Sequence, residues 1–164
     1  MLARVGVNRY HCRGMTMLVL DEFLPYRLSL TSNLLSEAVA RTYRALFGLN
    51  IPEWRVLAVV AETGGTTQQA ICTRTRMDKV TVSRAAIALV DRGLLARETN
   101  RADKRSHTLV VSAAGEDLYN RIVPEALKVQ AQVFERFERR ELDALGAMLA
   151  RIDEAVLALA GDRV

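Results

Sequence analysis

Apolar residues recur along most of this chain at intervals of three and four, and over one short section they alternate with polar ones. The first spacing lines one face of a helix and the second one face of a strand. After Pro25, which suits a first helical turn, Leu28, Leu35, Val39, Thr42 and Leu46 mark a long helix that Gly48-Leu49-Asn50 breaks. Pro52 opens a second helix, with Glu53 near its positive end, in which Trp54, Leu57, Ala58 and Ala61 face inward until Gly64-Gly65 ends it. Thr66 or Thr67 caps a short third helix over residues 68–75, seated by Ala70 and Ile71. After a polar turn, Asp78 caps a fourth helix, its carboxylate placed to accept a backbone N–H from near Thr81. Val82, Ala85, Ala86 and Leu89 form the inward stripe of that helix, while Val80, Arg84, Ile87 and Asp91 point away.

Arg92-Gly93 stops the fourth helix, and Leu94 to Thr99 and His107 to Val111 then have strand character. The link between them, Asn100-Arg101-Ala102-Asp103-Lys104-Arg105, is polar and turn-like, so the pair reads as a hairpin. Ser112 caps a further helix in which Leu118, Ile122 and Val123 begin an apolar side, and Pro124 is expected to kink or break it. In the last segment Leu142, Leu145, Leu149, Ile152, Val156 and Leu159 alternate spacings of three and four, a heptad seam suited to a partner helix and to self-association. The pattern predicts a mostly α chain with a small β-wing: a winged helix-turn-helix at about residues 52–112, flanked by helices at about 24–47 and 113–160. One domain, residues 20–164, follows a flexible arm at residues 1–19.

Composition narrows the class. Half of the 164 residues are hydrophobic and only three are proline, which excludes disordered and collagen-like chains. The formal charge is +4, and its placement matters more than its size. Residues 74–107 hold nine of the lysines and arginines against four carboxylates, so they carry +5 and the rest of the chain −1. Positive charge concentrated on a groove-fitting motif marks a polyanion partner. Cys12 and Cys72 are far apart, His11 and His107 are the only histidines, and no metal-ligand spacing or glycine-rich phosphate loop occurs, so neither a metal, a cofactor nor an enzyme is expected. No apolar run is long enough to cross a bilayer, and no apolar stretch follows Arg4, Arg9 and Arg13 as in a signal peptide. A cytoplasmic protein is expected.

The run DKVTVSRA at residues 78–85, LVDRGLLAR at 89–97, the wing signature Asp103-Lys104-Arg105-Ser106 and VVSAAGEDL at 110–118 together resemble the MarR family of bacterial transcriptional regulators. The likeness runs from about Leu20 to the C-terminal helix. It implies a homodimer in which the first and last helices interlock, and a pseudo-palindromic DNA site, often overlapping a promoter. It implies a repressor with double-stranded DNA as its partner. Within that frame, Lys79, Thr81, Ser83 and Arg84 would contact base edges or phosphates, with Arg84 suited to bidentate reading of guanine and Val80 to a thymine methyl. Arg74 and Arg76 at the turn would bind phosphate. At the wing tip Arg105 resembles the family arginine that enters the minor groove, braced by Asp103 and flanked by Arg101 and Lys104 on phosphates.

Many relatives release DNA when a small aromatic or acyl ligand, such as an aromatic acid or an acyl-CoA, enters between the dimerisation helices and the winged helix. Arg27, Ser29, Asn33, Trp54, Arg55 and Tyr119 are the candidate lining residues, although Trp54 equally suits a core and Arg27 an exposed surface. A redox-sensing branch places a reactive cysteine after a Leu-Asp-x-x-Leu run. Leu20-Asp21-Glu22-Phe23-Leu24 is such a run, but Pro25 stands at the cysteine position. Cys72, in the third helix, reads as a small buried hydrophobe, so that route is not expected. Two alternatives stand beside the ligand-responsive regulator: a winged-helix protein–protein module and a cysteine-based redox regulator.

Overall fold

A computed structural model describes residues 11, 12, 15, 16, 18–99 and 107–161. It divides into two units, Met1–Ile51 and Pro52–Val164.

In the first unit β1 (His11–Cys12) pairs antiparallel with β2 (Met15–Thr16), and a 3-10 turn over Leu20–Glu22 leads to α1 (Leu24–Phe47). Pro25 lies in the first turn of α1, where a missing N–H costs nothing. At the other end Gly48 adopts φ 63°, and its N–H reaches the Arg44 carbonyl at 3.1 Å, a left-handed cap that a residue without Cβ takes readily. None of residues 24–39 is buried, although Leu24, Leu28, Leu30 and Leu34 are large and apolar.

The second unit is built around α2 (Ile51–Thr63), α3 (Gln68–Thr75) and α4 (Lys79–Asp91). From α2 the core takes Val56, Leu57, Val59 and Val60; from α3 it takes Ile71, and from α4 Val82, Ala85, Ala86 and Leu89. The α4 stripe is the one its spacing predicts. The α2 face is turned from the expected one: Leu57 is buried, but Trp54, Ala58 and Ala61 are only half-buried. Three valines in their place bury more apolar surface than the alanines could. Ala70, expected to seat α3, is exposed, and Cys72 is a half-buried free thiol rather than a core residue.

A three-stranded antiparallel sheet of order β3-β5-β4 joins β3 (Thr66–Thr67), β4 (Leu95–Thr99) and β5 (His107–Val111). The wing pairs Leu95 with Val111 and Thr99 with His107. The two-residue β3 pairs Thr66 with Leu109 and Thr67 with Thr108, a third strand that the sequence pattern does not reveal.

The chain then enters α5 (Ala113–Phe134), followed by α6 (Arg139–Gly161). The Ser112 hydroxyl accepts the Gly115 N–H at 3.0 Å and donates to the Gly93 carbonyl at 2.6 Å, while the Ser112 N–H reaches the Leu94 carbonyl at 3.1 Å. Gly115 is buried here, and a Cβ on it would run into the Leu94 carbonyl oxygen. α5 runs unbroken through Pro124. The carbonyl left without its helical donor belongs to Asn120, which is exposed and open to water, so the expected break does not occur.

Candidate nucleic-acid interface

The candidate surface is assembled from two caps and a tight turn. The Thr67 hydroxyl accepts the Ala70 N–H at 3.2 Å and starts α3. At its far end the Thr75 hydroxyl donates to the Ile71 carbonyl at 2.7 Å and accepts the Met77 N–H at 3.3 Å. Between these, Arg76 sits in the left-handed region at φ 56° and ψ 18°, the only non-glycine described residue to do so. An L-residue there costs about 1–2 kcal/mol relative to its ordinary conformations. That conformation reverses the chain and presents an exposed guanidinium at the corner.

Asp78 begins α4. Its carboxylate accepts the Thr81 hydroxyl at 2.6 Å and the Thr81 N–H at 2.8 Å. The Thr81 hydroxyl, followed by its backbone N–H, holds the Asp78 carboxyl below its ordinary pKa of 3.8 by stabilising the charged form. Thr81, expected to touch DNA, is therefore engaged in the cap and half-buried, and Ser83 is half-buried too. Exposed on α4 are Lys79, Val80, Arg84, Ile87 and Asp91. Ile87 is not among the contacts expected from residue type, although its spacing from Val80 and Arg84 puts it on the same stripe.

The remaining residues divide. Arg74, expected as a phosphate ligand, pairs with Glu62 of α2 at 2.6 Å, so it must exchange that partner before binding phosphate. Both groups are about half exposed, and such a pair is held by little more than about 1 kcal/mol. On β4, Ala96 to Thr99 are exposed along the wing. Arg101, Asp103, Lys104 and Arg105 lie outside the described residues. Of the candidate ligand residues, Trp54 of α2 and Tyr119 of α5 stack with ring centroids 5.7 Å apart and planes at 20°. Tyr119 also lines a cleft of about 270 Å³ with Val60, Val110, Glu116 and Asn120. Arg55 is exposed, as are Arg27, Ser29 and Asn33 on α1 in the other unit.

Arg76 offers a test that separates folding from binding. In the variant Arg76→Gly the turn relaxes, and the melting temperature rises by the equivalent of roughly 0.5–1 kcal/mol while affinity for DNA falls. Thermal melts and DNA titrations of the same preparations check it; a variant that loses both stability and affinity would contradict the strained-turn reading.

A capped helix with a basic leading end, preceded by a short helix and followed by a two-stranded wing that β3 extends, defines the winged helix-turn-helix fold. Residues 47–106 match the model of the MarR family. Transcriptional regulator HosA of Escherichia coli O157:H7 is 27% identical over 108 residues, 66% of this chain and 80% of HosA. Two solved structures share the fold. Sco3205 of Streptomyces coelicolor, a MarR family regulator in complex with DNA, has a TM-score of 0.74 at 20% identity, over 88% of this chain and 92% of its own. BpsR of Bordetella bronchiseptica, whose DNA binding is regulated by 6-hydroxynicotinic acid, has a TM-score of 0.74 at 20% identity, over 84% and 97%. The chain is thus similar to MarR-family transcriptional regulators in the sequence of its winged helix-turn-helix and in its fold.

Proposed function

We propose that this protein is a MarR-family transcriptional regulator that acts in the cytoplasm as a homodimeric repressor on a pseudo-palindromic promoter site, and that a small aromatic or acyl ligand releases it. The observation that carries the dimer is α6. None of its residues from Arg139 to Leu159 is buried, and the seam residues Leu145, Leu149, Ile152, Val156 and Leu159 are 38–63% exposed, with only Leu142 half-buried. A helix with no buried residue from Arg139 to Leu159 needs another helix against its apolar stripe. A twofold dimer places two copies of α4 about 34 Å apart, one turn of the duplex, and a protein seated there excludes polymerase.

On each half-site Arg84 addresses a guanine, Lys79, Ser83, Arg74 and Arg76 bind phosphates or base edges, and the wing residues Arg101, Asp103, Lys104 and Arg105 hold the neighbouring minor groove. Thr81 contributes by holding the helix start. The stacked Trp54–Tyr119 pair supplies an aromatic wall for a planar ligand, with Arg55 exposed one residue on. The regulation of BpsR by 6-hydroxynicotinic acid supports an aromatic acid as the ligand class.

The test is a footprint on the DNA upstream of its own gene, repeated with 6-hydroxynicotinate, other aromatic acids and their CoA thioesters. We expect a protected site with twofold symmetry, lost on addition of one of these compounds. An asymmetric single half-site footprint would overturn the dimeric reading. Protection indifferent to every compound would overturn the ligand class.

A further inference from the structure

The exposed stripe of α4 is not purely polar. Val80 is 57% exposed and Ile87 44% exposed, and Arg84 lies between them on the same face. Two large apolar side chains facing water on a helix that already buries Val82, Ala85, Ala86 and Leu89 add nothing to the fold. Only one base-pair feature in the major groove is apolar, the C5 methyl of thymine. Val80 and Ile87 are seven residues apart, about 10.5 Å along the helix axis, which matches about three base-pair steps of 3.4 Å. Asp91, exposed at the far end of the stripe, limits the readable length, because its carboxylate is repelled by phosphates and keeps the last turn out of the groove.

We propose that Val80 and Ile87 read two thymine methyl groups in each half-site, about three base-pair steps apart, on either side of the guanine addressed by Arg84. This deepens the reading of α4 as the DNA-reading helix and rests on it. The apolar pair sets which bases flank the guanine; the arginine alone would accept any flank.

The experiment begins with the full-length protein and a random double-stranded DNA library, from which bound sequences are selected. Each thymine of the selected half-site is then replaced in turn by deoxyuridine, which removes the methyl and leaves the base-pairing edge unchanged. Two positions should each lose about fourfold in affinity, the effect of withdrawing one buried methyl. In Val80→Ala one of the two losses disappears, and in Ile87→Ala the other does. Both side chains are exposed, so each variant should keep the wild-type melting temperature. Uracil tolerated at every position, or selected half-sites without paired thymines, would overturn the proposal while leaving DNA binding intact. A library with no enriched sequence would overturn the DNA-reading assignment of α4 and this proposal with it.

Discussion

Replacing Arg84 by alanine lowers affinity for the specific site by about 1–3 kcal/mol, roughly five- to 150-fold, and relaxes selectivity at one base pair per half-site. The size follows from the geometry. Arg84 is exposed in the second turn of a helix whose start is held by two hydrogen bonds to Asp78, so the backbone that carries it is fixed before DNA arrives. Its removal should leave the fold alone, because the core residues of α4 lie on the opposite face. Binding measured against every single-base variant of the site checks both parts. A variant that binds all of them as the wild type does would show that α4 does not read the groove through this residue.

Cutting the chain before Glu138 removes α6 and should leave a monomer. Leu149→Glu combined with Ile152→Glu keeps the helix and should do the same, since each places a charge in the seam. Full burial of a large apolar side chain is worth about 1.5–3 kcal/mol, so it takes the whole seam, contributed by both helices, to offset the loss of translational freedom on pairing. Without the dimer the two half-sites are read independently, and affinity for the full site should fall by at least about a hundredfold. Sedimentation velocity and binding to whole and half sites decide this. A monodisperse dimer after the cut would refute the seam.

Local signals carried much of the fold into view. The cap at Asp78 rests on a residue three positions away, and the stripe of Val82, Ala85, Ala86 and Leu89 is the 3.6-residue repeat itself, so both are legible from spacing. The same holds for the cap at Ser112 and the strand at His107–Val111. What spacing does not hold is what depends on distant partners. β3 is two threonines long and becomes a strand only because Leu109 and Thr108 lie alongside. The orientation of α2 is set by which side chains the rest of the core accepts, and valines took the places expected for alanines. Arg74 reads as a free cation until Glu62 is brought beside it. The left-handed turn at Arg76 has no glycine or asparagine to announce it, so its strain is visible only in the backbone angles.

The clasp between Gly93–Leu94 and Ser112–Gly115 gives the molecule a stiff joint. Two hydrogen bonds from Ser112 cross it, and no room for a methyl group remains at Gly115, so the first turn of α5 cannot slide against the exit of α4. Any tilt of α5 must be taken up by α4 as a whole. With 13 residues, α4 is a lever about 20 Å long, pivoted at its C-terminal end, with the stripe proposed to read DNA extending from its N-terminal end. A rotation of about 5° at the pivot displaces the reading end by roughly 1.7 Å, several times the spread of lengths a good hydrogen bond tolerates. In the proposed reading, a disturbance at the stacked pair of Trp54 on α2 and Tyr119 on α5 would thus reach the bases as a mechanical stroke, without any molecule approaching the DNA.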